Sequence, residues 1–270
     1  MNRLHTPRHL RFVKPRQRGI TIVELLVVIV MTGLFTTLIM TFTIGYWRYG
    51  SLLQADLETL GTRLNAGDLL RSSIGPSSGL ISQNSIPDSY PTNPDSSISS
   101  GQYWTPIHAI PGNKAIPAKG AYAALLYYRR PSIGKTGGFI MNGTQPYEDE
   151  YVLYLDGTNK SLRLRSLANP NASNNKLRTS CPTAYVTSIC PPDKIVATDL
   201  ASIDMRYFSR TGSQMNYTSS VDLVSGAFNG PDFPAVEVVE FNLNLTKKPF
   251  LQTTNATSNS TIVRIAFRNA

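Results

Sequence analysis

Histidine and cysteine are scarce in this chain of 270 residues, which has three of the first and two of the second. Two cysteines, Cys181 and Cys190, exclude a cysteine-rich zinc site and a disulfide-dense scaffold. Of the histidines, His5 and His9 lie in a basic amino-terminal segment, which leaves His108 alone and unable to complete a His-metal site. Acidic residues are missing from the first 23 positions, and proline is missing between Ile20 and Ile74. The first absence marks a cationic leader, and the second permits one uninterrupted helix.

The charge is lopsided in the other direction. Lys and Arg number 26 against 17 Asp and Glu, a formal net charge of +9. Six of the basic residues, Arg3, Arg8, Arg11, Lys14, Arg16 and Arg18, precede the first acid, Glu24. Without them 20 basic residues face 17 acidic ones, so +3 remains and global basicity is no argument for nucleic acid.

Residues 20–47 read ITIVELLVVIVMTGLFTTLIMTFTIGYW, with Glu24 as the one charge. As a helix they span about 42 Å, more than the roughly 30 Å of a bilayer's hydrocarbon core. The apolar run is about twice the 7 to 15 residues of a secretory signal core, and no small-x-small cleavage site closes it. A membrane span follows, with the basic amino terminus in the cytoplasm and the rest outside. Glu24 is costly there, at about 2.5–3.5 kcal/mol for a central charge, unless it finds a partner or the interface.

The run Arg18-Gly19-Ile20-Thr21-Ile22-Val23-Glu24-Leu25-Leu26-Val27-Val28-Ile29-Val30 resembles the signal of type IV prepilins and type II secretion pseudopilins. The resemblance implies cleavage between Gly19 and Ile20 by a membrane aspartic peptidase, which then methylates the Ile20 amine. The family most often has phenylalanine where Ile20 stands. Glu24 is implied to neutralise the amine of a neighbouring subunit in the bilayer, so that each buried charge recruits the next copy.

Beyond the apolar run, residues 48–74 keep a helical period, with Leu53, Leu57, Leu60 and Leu64 as a stripe expected to pack on the protein's own sheet. A coiled coil with a partner is the other use of such a stripe. Gly75-Pro76 stops the helix. Residues 75–120 carry seven prolines and many serines and read as a surface connection with at most a short strand. Strand signals follow at 121–130, in a hairpin at 151–155 and 161–165 around Asp156-Gly157, and at 203–208, 236–245 and 261–267. The fold class is α+β: one long amino-terminal helix, a membrane half plus an amphipathic half, packed on an antiparallel sheet formed by a head of residues 121–270. That order is the pilin architecture. Residues 195–208 and 234–241 resemble the carboxy-terminal half of large minor pilins and J-type minor pseudopilins.

Outside the helix the candidates are few. Cys181 and Cys190 enclose eight residues and are expected to form a disulfide in the oxidising outer compartment. Glu148-Asp149-Glu150 with Asp156 reads as a solvated acidic turn; a calcium loop is the alternative, but the alternating ligands and central glycine are missing. Arg129, Arg130, Lys135, Arg163 and Arg165 are either a weak basic patch for DNA or ordinary solvated strand faces. No cofactor and no metal are expected, and the chain is not expected to be an enzyme.

The resulting expectation is a minor type IV pilin; the alternative is a minor pseudopilin of a type II secretion system. The resemblance implies as partners other pilin subunits through the helix, the prepilin peptidase and N-methyltransferase, an inner-membrane assembly platform and membrane lipid. It implies a single-pass inner-membrane protein that ends in an extracellular or periplasmic filament.

Overall fold

The proline-free stretch forms a single helix in the computed structural model, α1 (Ile22–Ile74), 53 residues long. The structure describes residues 19–81, 84–88, 104, 112–117, 119, 122–182, 186–215, 236–247 and 257–267. Gly75 ends the helix by donating its N–H to the carbonyl of Arg71 at 2.9 Å. A Cβ there would lie 2.6 Å from that oxygen, so the stop requires glycine. The chain divides into two units, Met1–Gly50 and Ser51–Ala270.

In the first unit every described residue, 19–50, is exposed. The threonines of the apolar helix are nevertheless closed in their hydrogen bonding. The hydroxyls of Thr32, Thr36, Thr37, Thr41 and Thr43 each donate to the carbonyl four residues back, at 2.7–2.8 Å. This closes side-chain groups that would otherwise be unpaired in hydrocarbon.

The second unit begins with the last turns of α1. Among its described residues twelve strands follow: β1 (Gly79–Ile81), β2 (Gly112–Ala115), β3 (Tyr122–Pro131), β4 (Met141–Asn142), β5 (Gln145–Pro146), β6 (Glu148–Asp156), β7 (Ser161–Leu167), β8 (Lys194–Ala197), β9 (Leu200–Ser209), β10 (Gln214–Met215), β11 (Val236–Lys247) and β12 (Thr257–Ala266). They form a sheet of order β1-β3-β6-β7-β8, a second of order β10-β9-β11-β12 with β2 also on β9, and the small pair β4-β5. All pairings are antiparallel. The expected hairpin is β6-β7, closed at Asp156↔Ser161. Asp156 shapes its turn by accepting the N–H of Thr158 at 2.9 Å. Only Thr198 and Asp199 separate β8 from β9, so the chain changes sheets there. Asp199 takes a φ of 56°, and its carbonyl accepts the N–H of Thr246 at 2.8 Å.

One apolar cluster joins the helix to both sheets: Ala66, Leu70 and Ile74 with Leu153, Leu155 and Leu164 of the first, and Met205, Phe241 and Val263 of the second. The stripe that faces it differs from the one expected. Ala55, Thr59, Ala66, Gly67, Leu70, Ser73 and Ile74 are buried, whereas Leu53, Leu57, Leu60 and Leu64 are 46–62% exposed. Small residues let the helix approach the sheet closely, and a Cβ on Gly67 would already touch Val263 at 3.6 Å. Leucine at Ala66 or Gly67 would hold the helix off. At the edge of this contact Glu58 pairs with Lys247, and the Arg63 guanidinium donates to the carbonyl of Ser260.

The second sheet alternates as expected, with β12 burying Val263 and Ile265 while Ile262 and Arg264 stay out. The first sheet does not, because its other face is covered too. Trp104, Ala124, Tyr127, Val152, Tyr154 and Leu167 form a second apolar cluster there. The 75–120 connection therefore differs from the surface segment expected of it. Among its described residues Ser77, Asn84, Asp88 and Trp104 are buried, and β1 and β2 each join a sheet.

Candidate assembly surface and the buried charges of the head

The start of α1 is built by a reciprocal cap. The Glu24 N–H donates to the Thr21 hydroxyl at 3.3 Å, and Glu24 Oε2 accepts the Thr21 N–H at 2.9 Å and its hydroxyl at 3.1 Å. Thr21-x-x-Glu24 is thus a capping box, a second role for Glu24 that the T-x-x-E spacing could have shown. Gly19 and Ile20 lie just before it, both exposed, Ile20 by 73%. A short exposed segment ahead of a capped helix is accessible to a peptidase.

From there to Gly45 the helix shows the medium only apolar side chains and threonines whose hydroxyls are closed onto the backbone. Ile22, Leu26, Val30, Leu34, Leu38 and Phe42 are each more than half exposed. It is the one described helix long and apolar enough, by length and composition, to cross a membrane. The exposed leucines of residues 53–64 add an apolar face to the part of α1 that belongs to the second unit. The hydrophobic effect drives such surface out of water, into lipid or against other subunits.

Arg129, Arg130, Lys135, Arg163 and Arg165 form neither the basic patch nor simply solvated strand faces, because most of these arginines are paired or buried. Arg165 is fully buried, its guanidinium 2.7 Å from Asp88 and 3.4 Å from Asp193. Arg163 is buried against Asp156 at 3.0 Å. Arg129 pairs with Glu150 at 3.1 Å. Arg130 instead lies over the Tyr151 ring, 5.6 Å from its centroid. The cause is the covered outer face of β7, which carries Arg163 and Arg165 inward. Around Arg165 the network is dense: Trp104 donates its indole N–H to Asp88 at 2.8 Å, and the hydroxyls of Tyr154 and Ser180 donate to Asp193 at 2.7 and 2.6 Å. Sequence reading missed this centre, since Asp88 lies in an irregular segment 77 residues from its partner.

The acidic run is no solvated turn either. Glu148, Asp149 and Glu150 open β6, and Asp149 and Glu150 are buried. Glu150 accepts from the N–H groups of Ser85 and Ile86 at 2.7 and 2.8 Å, and Asp149 from Asn169 N–H and Asn175 at 2.9 and 2.7 Å. Their oxygens hold the covering segment and a loop in place, work that would otherwise fall to backbone pairing. Among the described residues no group of three or more His, Cys, Asp or Glu comes together as a metal-ligand set.

Cys181 and Cys190 are joined by a disulfide, with Cα atoms 5.6 Å apart. Its loop is tied to the strand beside it, for Cys181 donates its N–H to Pro191 at 2.7 Å and accepts that of Asp193 at 2.8 Å. His108 falls outside the described residues. The run Gly75-Pro76-Ser77-Ser78-Gly79 has the G-x-S-x-G spacing of a hydrolase elbow, but it leads from helix to strand, the reverse of that motif, with Ser77 fully buried.

No curated protein and no solved structure matches the chain. A family model does, the prokaryotic N-terminal methylation motif, over residues 14–40. Basic leader, capped helix start and exposed apolar helix all fall within or against that match, and with it the chain carries the amino-terminal signal of type IV prepilins and pseudopilins.

Proposed function

We propose that the protein is a minor type IV pilin: a structural subunit, cut between Gly19 and Ile20, methylated on the Ile20 amine, and assembled through α1 into a surface pilus. The observation that carries this is the exposed apolar helix beginning three residues after Gly19, inside the methylation motif. In the bilayer the helix is solvated by lipid tails. In the fibre the same surface, with Leu53, Leu57, Leu60 and Leu64 extending it, packs on the helices of other copies. Glu24 neutralises the new amine of a neighbour, exchanging its cap contacts with Thr21 for a charge pair. Removal of the leader leaves 251 of the 270 residues, large for a pilin and in keeping with a minor subunit. Prepilin peptidase, an inner-membrane assembly platform and lipid are the partners this path requires.

Intact-mass measurement tests the processing step. Wild-type subunit should lack residues 1–19 and carry one added methyl group, whereas Gly19→Val should retain the whole leader; a variant of mature mass sinks the assigned site. Glu24→Ala should insert in the membrane normally but be strongly depleted from sheared fibres. Normal amounts of that variant in fibres would remove the charge-pairing role.

A further inference from the structure

The cations that sequence reading gathered into one patch are dispersed, but the fold collects a different set. Arg130, Lys176, Arg178 and Lys194 line one pocket of about 400 Å³. They come from β3, from the loop after β7 and from β8, so no run of sequence announces them. None of the four forms an ion pair among the described residues. Asp149 stands opposite Arg130 in the strand register, but it is only 2% exposed and already accepts from Asn169 and Asn175. No carboxylate lines the pocket. An anion entering this pocket meets four positive charges, three of them on exposed side chains, and no negative one.

The walls are fixed. On one side Lys176 and Ser180 donate their N–H groups to Ile133 and Ser166, at 2.8 and 2.9 Å, while the Ser166 hydroxyl donates to the carbonyl of Arg178 at 2.9 Å. On the other, Pro191 and Pro192 follow the disulfide directly. Leu164, Leu177 and the two prolines make part of the lining apolar. We propose that this pocket binds a carboxylated or phosphorylated sugar, the acidic group on the four cations and the ring against the apolar wall. The volume lies at the small end of ligand sites, suited to one sugar unit. Nucleic acid is the less suitable anion, because bases need a free aromatic face. The Tyr151 ring at this pocket is stacked on Tyr128, centroids 5.1 Å apart and planes 6° apart, and also carries Arg130.

The test is calorimetric titration of the full-length subunit in nonionic detergent with glucose 6-phosphate, glucuronate, glucose, inorganic phosphate and a short thymidine strand. The two sugar acids should bind, more weakly as salt rises, and should bind better than glucose or phosphate. The exposed pair Lys176→Glu and Arg178→Glu together should weaken them at least about tenfold with the thermal midpoint unchanged. Lys160→Glu, a charge reversal on the β6-β7 turn, should leave binding intact and controls for net charge. Glucose binding as tightly as the sugar acids, phosphate binding as tightly, or full affinity in the double variant would each overturn the proposal. Tighter binding of the thymidine strand would overturn it in favour of nucleic acid.

Discussion

The two units of this protein treat polarity in opposite ways. Residues 22–45 expose apolar side chains throughout, and their threonines are closed locally, hydroxyl to carbonyl one turn back. The head buries charge, with Arg165, Asp88 and Asp193 inside and an apolar core on either face of the first sheet. The helix is therefore local in its bonding and dependent on its surroundings for burial, whereas the head depends on contacts between residues far apart in sequence. An isolated helix of this composition is stable only in a medium that hides it. The head brings its own cover, in the segment that carries Asp88 and Trp104.

The comparison is broken most sharply at Arg165. Arg165→Ala leaves two buried carboxylates without their cation and should destabilise the head by about 3–5 kcal/mol. Leu57→Asn, on the exposed stripe, should leave the unfolding midpoint of the full-length subunit nearly unchanged while reducing its share in fibres. Urea unfolding in detergent measures the first effect and quantitation of sheared fibres the second; equal midpoints for both variants would mean that the buried network is not a stability element.

A smaller effect is expected at the disulfide. Replacing Cys181 and Cys190 by serine releases a loop whose ends are nine residues apart, worth about 2–3 kcal/mol by chain entropy. Reduction of the wild type should lower the head's unfolding midpoint by the same amount. The helical content of residues 19–50, which has no such constraint, should not change.

The smallest effect concerns the contact of α1 with β11. The hydrogen bond from Lys247 holds the exposed Glu58 carboxyl below its ordinary range, and the same pairing raises the Lys247 ammonium. A carboxylate whose folded-state pKa is depressed contributes above its unfolded pKa and loses that contribution as pH falls through the folded value. Lys247→Gln should therefore lower stability slightly at neutral pH, where the contribution is fully present, and leave it unchanged in acid, so that the acid limb flattens; an unaltered acid limb would show that the pair is screened. Tyr151, raised to about 12 by burial, stays a neutral phenol throughout that range.

The sequence made some of this legible and hid the rest for physical reasons. Local signals held: the absence of proline foretold α1, Asp156-Gly157 foretold the β6-β7 turn, and alternation foretold β9, β11 and β12. The helix face failed, because periodicity finds an apolar stripe without saying whether sheet, lipid or neighbour covers it. Ala55, Thr59, Ala66 and Gly67 won the sheet by being small, not by being hydrophobic. The charges of the first sheet failed for the opposite reason. Arg163 and Arg165 alternate with leucines like residues of a wet face, and only a segment remote in sequence turns that face into an interior. The cationic pocket was hidden in the same way, its four cations coming from two strands and a loop.

The five threonines of the apolar helix have a consequence for traffic between environments. A helix that leaves lipid for the company of other helices changes solvent, and every polar group that had relied on the first solvent must be re-paired in the second. Here Thr32, Thr36, Thr37, Thr41 and Thr43 rely on neither, since their partners travel with them. The exchange leaves those bonds intact, and its free energy reduces to how well shapes fit, together with the fate of a single carboxylate at Glu24.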